Sequence, residues 1–212
     1  MSKIIFIFSI SLAILFSGCG DKKEASKDNF KKVINNYYDK NDDTCPTLPI
    51  SFGNIIYNSA FSHQFPTKLF KNDPYKERID ILVDIGLLTK KETKVKEIMS
   101  EEIRDGFEYN LTDLGTKFYK NKSFCVGKYK VTEITQFTPP TNFGPITGSQ
   151  VSFKKVTFDI PNWALELAKK EPYNSNKEFK NLITGEEIKE STILALTNDG
   201  WITYMEYQKN MK

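Results

Sequence analysis

Apolar residues fall along this chain in distinguishable patterns, and each predicts a kind of element. The first is an almost unbroken run from Ile4 to Phe16, preceded by Lys3 and followed by Ser17-Gly18-Cys19. At about thirteen residues it is shorter than the roughly twenty that a helix needs to cross a hydrocarbon core, so it predicts an export signal and not a membrane span. Helical spacing comes next. Phe30, Val33, Ile34 and Tyr37 predict a helix from a Ser26 N-cap to about residue 39, ended by Asn41-Asp42-Asp43 and Pro46. Ile79, Leu82, Val83 and Ile85 predict another over 74–85, with Pro74 in its first turn and Gly86 closing it. Thr112 caps a third, containing Leu114, Phe118 and Tyr119, and Pro161 opens a fourth with Trp163, Ala164, Leu167 and Ala168 as its buried stripe.

Alternation marks the strands, at 95–99, 107–111, 124–137, 151–160, 192–196 and 201–207. Residues 124–137 and 151–160 are expected to pair antiparallel across 138–149, which Pro139-Pro140, Gly144-Pro145 and Gly148 mark as a loop. The turn Asn198-Asp199-Gly200 joins the last two strands into a hairpin. Two stretches show no clear pattern. Residues 20–27 are polar and charged with one Ala, the composition of a tether. Residues 48–64 mix Ile50, Phe52, Ile55, Ile56 and Tyr57 with the interrupting Pro49 and Gly53, and a short strand there stays open.

Phe16-Ser17-Gly18-Cys19 resembles a bacterial lipobox. The resemblance implies cleavage before Cys19, a diacylglycerol on its sulfur, an acylated amine, and two or three chains giving stable anchoring. An ordinary secretory signal is the nearest alternative, because Phe16 stands where lipoboxes prefer Leu. Gly20 follows the cysteine where inner-membrane members of the family carry Asp, and Asp21 comes one place later. The resemblance therefore implies the periplasmic face of the outer membrane.

A second resemblance covers about forty residues. Ile81-Leu82-Val83-Asp84-Ile85-Gly86-Leu87-Leu88, a hairpin, and then Tyr109-Asn110-Leu111-Thr112-Asp113-Leu114-Gly115 look like the second half of winged-helix proteins such as the MarR and PadR regulators. There a helix ending in Gly-Leu leads into the wing, and Leu-Thr-x-x-Gly opens the next helix. Gly86 permits a sharp exit, Thr112 caps, and Gly115 allows close packing. The family's DNA binding does not carry over. Glu77, Asp80 and Asp84 interrupt the helix that would enter a groove, and an exported chain does not meet the chromosome. The expected organisation is α+β: a signal peptide at 1–18, a lipidated tether at 19–27, a winged-helix-like domain at 28–122, and a smaller antiparallel β-rich domain at 123–212 with one short helix.

Composition narrows the chemistry. The 212-residue chain has 30 Lys and Arg against 27 Asp and Glu; removing the signal takes away Lys3 and leaves a net charge of +2. Acidic and basic residues alternate closely, as in Lys22-Lys23-Glu24 and Lys169-Lys170-Glu171, which reads as solvated surface and not a nucleic-acid stripe. With Cys19 lipidated, Cys45 and Cys125 remain as a pair in an oxidising compartment and are expected to form a disulfide.

His63 is the only histidine, which excludes or cripples Ser-His-Asp, Cys-His and multi-histidine metal sites, and no metal or cofactor is expected. The pairs Glu101-Glu102 and Glu186-Glu187 are candidates for carboxylate acid-base chemistry, but they stand beside Arg or Lys in charged segments. Tyr37-Tyr38, Phe137, Phe143, Tyr173, Trp201, Tyr204 and Tyr207 are candidates either for an aromatic core or for an interface. The function expected is a non-enzymatic binding or scaffold role in the envelope with a protein partner, including that of an immunity protein against an envelope-delivered toxin. An envelope hydrolase using carboxylates is the alternative.

Overall fold

Two hydrophobic cores, each assembled from segments distant in sequence, organise the chain. The structure is a computed structural model that describes residues 21–41, 44–49, 67–96 and 102–211. Its helices are α1 (Lys27–Lys40), α2 (Lys76–Asp84), α3 (Asp113–Phe118), α4 (Asn162–Leu167), α5 (Lys177–Thr184) and α6 (Tyr204–Asn210). Its strands are β1 (Thr67–Phe70), β2 (Leu88–Lys96), β3 (Ile103–Leu111), β4 (Tyr119–Lys120), β5 (Ser123–Phe124), β6 (Lys128–Phe137), β7 (Thr141–Phe143), β8 (Ile146–Phe158), β9 (Ile188–Thr197) and β10 (Gly200–Thr203). The fold is α+β. Among the described residues the sheets are antiparallel: β1-β3-β2, β10-β9-β8-β6 with β7 on β8, and the small β4-β5 pair.

The first core gathers Leu69 of β1, Ile79 and Leu82 of α2, Leu87, Leu88, Tyr109 of β3, Phe124 and Val126. Closing over them are Trp163, Ala164 and Leu167 of α4, Tyr173, and Phe179 and Leu182 of α5. The segment between β8 and β9 therefore leaves the sheet it belongs to and packs on the middle of the chain. In the second core, Val131, Ile134, Val151, Phe153, Leu194 and Trp201 turn one face of the large sheet onto Phe30 and Ile34 of α1. Phe30 meets the Trp201 and Phe137 rings edge-on at 5.0 and 5.1 Å. Thus α1 packs with the C-terminal sheet, although 28–122 was the segment it adjoined in sequence. Each half of the chain lends a helical piece to the other.

Local chemistry accounts for the elements. The Ser26 hydroxyl accepts from Asn29 N at the start of α1, and Thr112 accepts from Gly115 N at 2.9 Å to start α3. Gly86, at φ +81°, turns the chain out of α2, and Thr112 Oγ1 lies 2.6 Å from the Gly86 carbonyl oxygen. A Cβ on Gly115 would sit 2.0 Å from Leu87 O, so only glycine lets α3 approach the end of α2. Asn176 caps α5 by accepting from Phe179 N at 2.8 Å, and Gly185 closes it in the left-handed region.

Several sequence-based expectations differ from the structure. Of the strand expected at 95–99, residues 97–99 lie outside the described residues, and the strand begins at Leu88, because the polar residues 89–94 pair with Asn110 to Asp105 of β3. The strand expected at 107–111 begins earlier, at Ile103, and Gly106 lies inside it, where a Cβ would meet Leu69 O at 2.3 Å. The expected loop at 138–149 holds β7 and the first residues of β8. The returning strand expected over 201–207 stops at Thr203, whose side chain and Glu206 form a capping box that starts α6. The β-rich half carries α4, α5 and α6 where one short helix was expected; α5 is eight residues long and mostly polar on its exposed side. Finally, residues 21–26, expected as an unpacked tether, are docked: Asn29 Nδ2 donates to Asp21 O and Glu24 O, and Trp201 Nε1 donates to Lys23 O at 3.0 Å.

Candidate functional site

Cys45 and Cys125 are joined in a disulfide, with Cα atoms 5.5 Å apart and 80 positions between them in sequence. The backbone flanking the bridge is paired as well. Leu48 N donates to Phe124 O and Val126 N to Pro46 O, both at 2.8 Å, so Thr47 and Cys125 form an antiparallel bridge. This clamp fixes the chain leaving α1 to the start of the large sheet.

Beside it lies a cleft of about 460 Å³, bounded by the end of α1 (Tyr38, Asp39, Asn41), the disulfide, the end of α3 (Lys117, Phe118), Lys120 and the start of β6 (Gly127, Lys128, Tyr129), with Asp159 across from Lys128. The cleft sits where the two cores meet, and both contribute wall residues. Its charged lining is three lysines, Lys117, Lys120 and Lys128, against Asp39 and Asp159. Lys128 Nζ lies 3.6 Å from Asp159, and Lys117 Nζ lies 5.4 Å from the Phe118 ring centre.

The inner wall is held by a buried ammonium. Lys155 occupies a position on β8 that the alternation Val151, Phe153, Thr157 turns inward, and only 8% of its side chain is exposed. A buried lysine needs compensation. Its Nζ pairs with Glu190, stands 3.6 Å from the Tyr129 ring centre and 5.2 Å from that of Tyr38, and reaches the Tyr38 hydroxyl at 3.4 Å. Burial, and after it the charge of Glu190, raises the Tyr38 phenol well above its ordinary value, and the same two causes raise Tyr129. Both rings stay neutral, with their faces available to the cation.

A second cluster holds α2 to its hairpin. Asp80 accepts from Lys76 at 2.6 Å, Lys90 at 2.8 Å and the Tyr109 hydroxyl at 2.8 Å. Burial alone would raise the Asp80 carboxyl, but these three hydrogen bonds outweigh it and hold the group below its ordinary value. Lys90 also lies 4.0 Å from the Phe107 ring centre. The acidic residue expected to spoil a DNA-reading helix is thus engaged with two of its basic neighbours.

The other residues singled out in the sequence separate. Cys19, His63 and Glu101 lie outside the described residues. Glu102 is exposed, 3.8 Å from Arg104. Glu187 and Glu133 both contact Lys154, at 3.3 and 3.0 Å, and Glu186 is exposed. The Lys154 hydrogen bond and charge lower Glu133. Of the aromatics, Tyr173 and Trp201 are core residues, Phe137 packs on Phe30, and Tyr204 stacks on Tyr207 at the surface. Only Tyr38 reaches the cleft. Sequence reasoning missed Lys117, Lys120, Lys128, Tyr129 and Lys155. The one available signal was Lys155, a charged residue in an inward register.

Among the described residues no group of three or more His, Cys, Asp or Glu side chains is placed to hold a metal ion, and no helix is long and apolar enough to cross a membrane. Compared with protein families, curated proteins and solved structures, the chain matches none.

Proposed function

We propose that this chain is a lipid-anchored protein of the bacterial envelope, acylated at Cys19 and held on the periplasmic face of the outer membrane, which binds another protein through the cleft at the end of α1. The observation that carries the binding role is the cleft itself: a preformed concavity beside a disulfide, walled by Tyr38, Tyr129 and Phe118 and lined by three lysines and two aspartates. Aromatic walls with a basic rim suit a protein segment carrying acidic side chains. A disulfide favours an oxidising compartment, which agrees with export.

The segment from α2 to α3 serves this reading as a winged-helix-like scaffold used for protein contact and not for nucleic acid. Its support is the β1-β3-β2 order, the glycine exit of α2 and the Thr112 cap. Carboxylate catalysis has less support, because among the candidate carboxylates Glu187 is paired with Lys154 at 3.3 Å and Glu102 lies 3.8 Å from Arg104, both at exposed positions and not facing a second carboxylate in a cleft. An immunity role against a delivered toxin is one form the binding takes.

Photo-crosslinking in intact cells tests the proposal. A crosslinking residue at Lys117 or Lys128 should give one and the same protein adduct, absent from the exposed Lys170 and lost on Lys120→Glu. No adduct from the cleft positions, or an equal one from Lys170, refutes it. So does micromolar, salt-sensitive binding of the purified protein to duplex DNA.

A further inference from the structure

We infer that the end of the large sheet carrying the N-terminus lies against the bilayer, and that the cleft is held at the opposite end, facing away from it. The inference rests on the reading of Cys19 as the lipid anchor. Its own warrant is how little chain separates that anchor from fixed structure. Asp21 is already hydrogen-bonded to Asn29, and the following residues are seated on Gly200 and Trp201, where a Cβ on Gly200 would stand 3.0 Å from Lys22 O. Only two virtual bonds join Cys19 to Asp21, a reach of about 7 Å between Cα atoms. A lipid on Cys19 therefore pins this end of the body at the headgroups, with no tether to let it roll.

The registers say what else lies there. Gly148 pairs with Ala195 and Gly200 with Thr197, so the β9-β10 turn and the β7-β8 turn leave the sheet at the same end as the docked N-terminus. The other end of β8 reaches Phe158, beside Lys128 and the cleft. Over the thirteen residues of β8, at about 3.3 Å each, the two ends are about 40 Å apart along the strand. The exposed charges at the near end are Lys22 and Lys23 against Asp21, Glu24 and Asp199, so the acyl chains and the short connection hold it there, not a basic patch.

The test uses the full acylated protein in vesicles of phosphatidylethanolamine and phosphatidylglycerol. An environment-sensitive fluorophore is placed by Thr141→Cys or Asn198→Cys at the near end, and by Lys117→Cys or Lys128→Cys at the far end. A headgroup-level quencher lipid should quench the near pair several-fold more than the far pair, and raised salt should leave the difference unchanged. A flexible Gly/Ser insert of about twenty residues between Gly20 and Asp21, spanning about 25 Å, should abolish the difference while the protein still floats with vesicles. Palmitate labelling of the same preparation separates the two ideas. Unlabelled protein that does not float overturns the lipid reading and this orientation with it. Labelled, floating protein with equal quenching at both ends, or with more at Lys117, overturns the orientation alone.

Discussion

Replacing Cys45 and Cys125 together with Ala opens a covalent loop spanning 80 positions. In the chain-entropy model that crosslink removes about 15 cal/mol/K from the unfolded chain, which is about 4.5 kcal/mol at 25 °C. Residual structure in the unfolded chain reduces the effect, and the small void left at Cys125, which is buried, adds a little back. The expected loss is about 2–4 kcal/mol, or a fall in melting temperature of about 5–15 °C for a body of this size. Urea unfolding of purified protein measures it, with an m-value that rises slightly because the uncrosslinked unfolded chain exposes more surface. The two tryptophans make the assay informative about position. Trp163 packs on Phe118 and Phe124 in the first core, next to Cys125, whereas Trp201 lies in the second core. If the cores are one cooperative unit, both report the same shifted midpoint. A loss below about 1 kcal/mol would refute the reasoning, because the backbone bridge at Thr47 would then be enough to close the first core.

Asp80→Asn keeps a partner for Tyr109 but removes the charge facing Lys76 and Lys90, and should cost about 1–3 kcal/mol near neutral pH. Because the folded Asp80 carboxyl is depressed below 3.8, its contribution is complete above about pH 4 and is lost as pH falls through the folded value; a difference from the parent protein that grows on acidification contradicts this. Gly115→Ala places a Cβ 2.0 Å from Leu87 O and should cost at least about 2 kcal/mol by thermal melting, whereas an unchanged melt would mean α3 does not seat on the α2 exit as described. Lys155→Ala leaves a void between Tyr38 and Tyr129 and should cost about 2–3 kcal/mol, with Lys155→Met less damaging because it refills the space; hydrogen exchange in the last turn of α1 should rise in the first and much less in the second.

What the sequence determined by itself was local. The caps at Ser26 and Thr112, the glycine exit at Gly86, the antiparallel pairing of 124–137 with 151–160 and the hairpin at Asn198-Asp199-Gly200 are set by groups a few residues apart, or by turn chemistry and alternation; Gly115 was legible as a site of close packing, though its partner Leu87 was not. The Cys45 and Cys125 pairing was legible for a different reason: with Cys19 assigned to lipid, only one intrachain pair remained. Tertiary structure decided the rest. Residues 89–94 become a strand because β3 offers hydrogen-bonding partners along its length, a choice that weak intrinsic propensity does not make. The exchange of α1 and the α4-α5 segment between the two cores rests on which apolar faces meet between segments far apart in sequence, and a face does not encode its partner. The cleft follows from that exchange. Its lysines and tyrosines come from α1, α3, β4 and β6, each unremarkable in its own segment, and they converge because the disulfide and the buried Lys155 hold the end of α1 against the sheet.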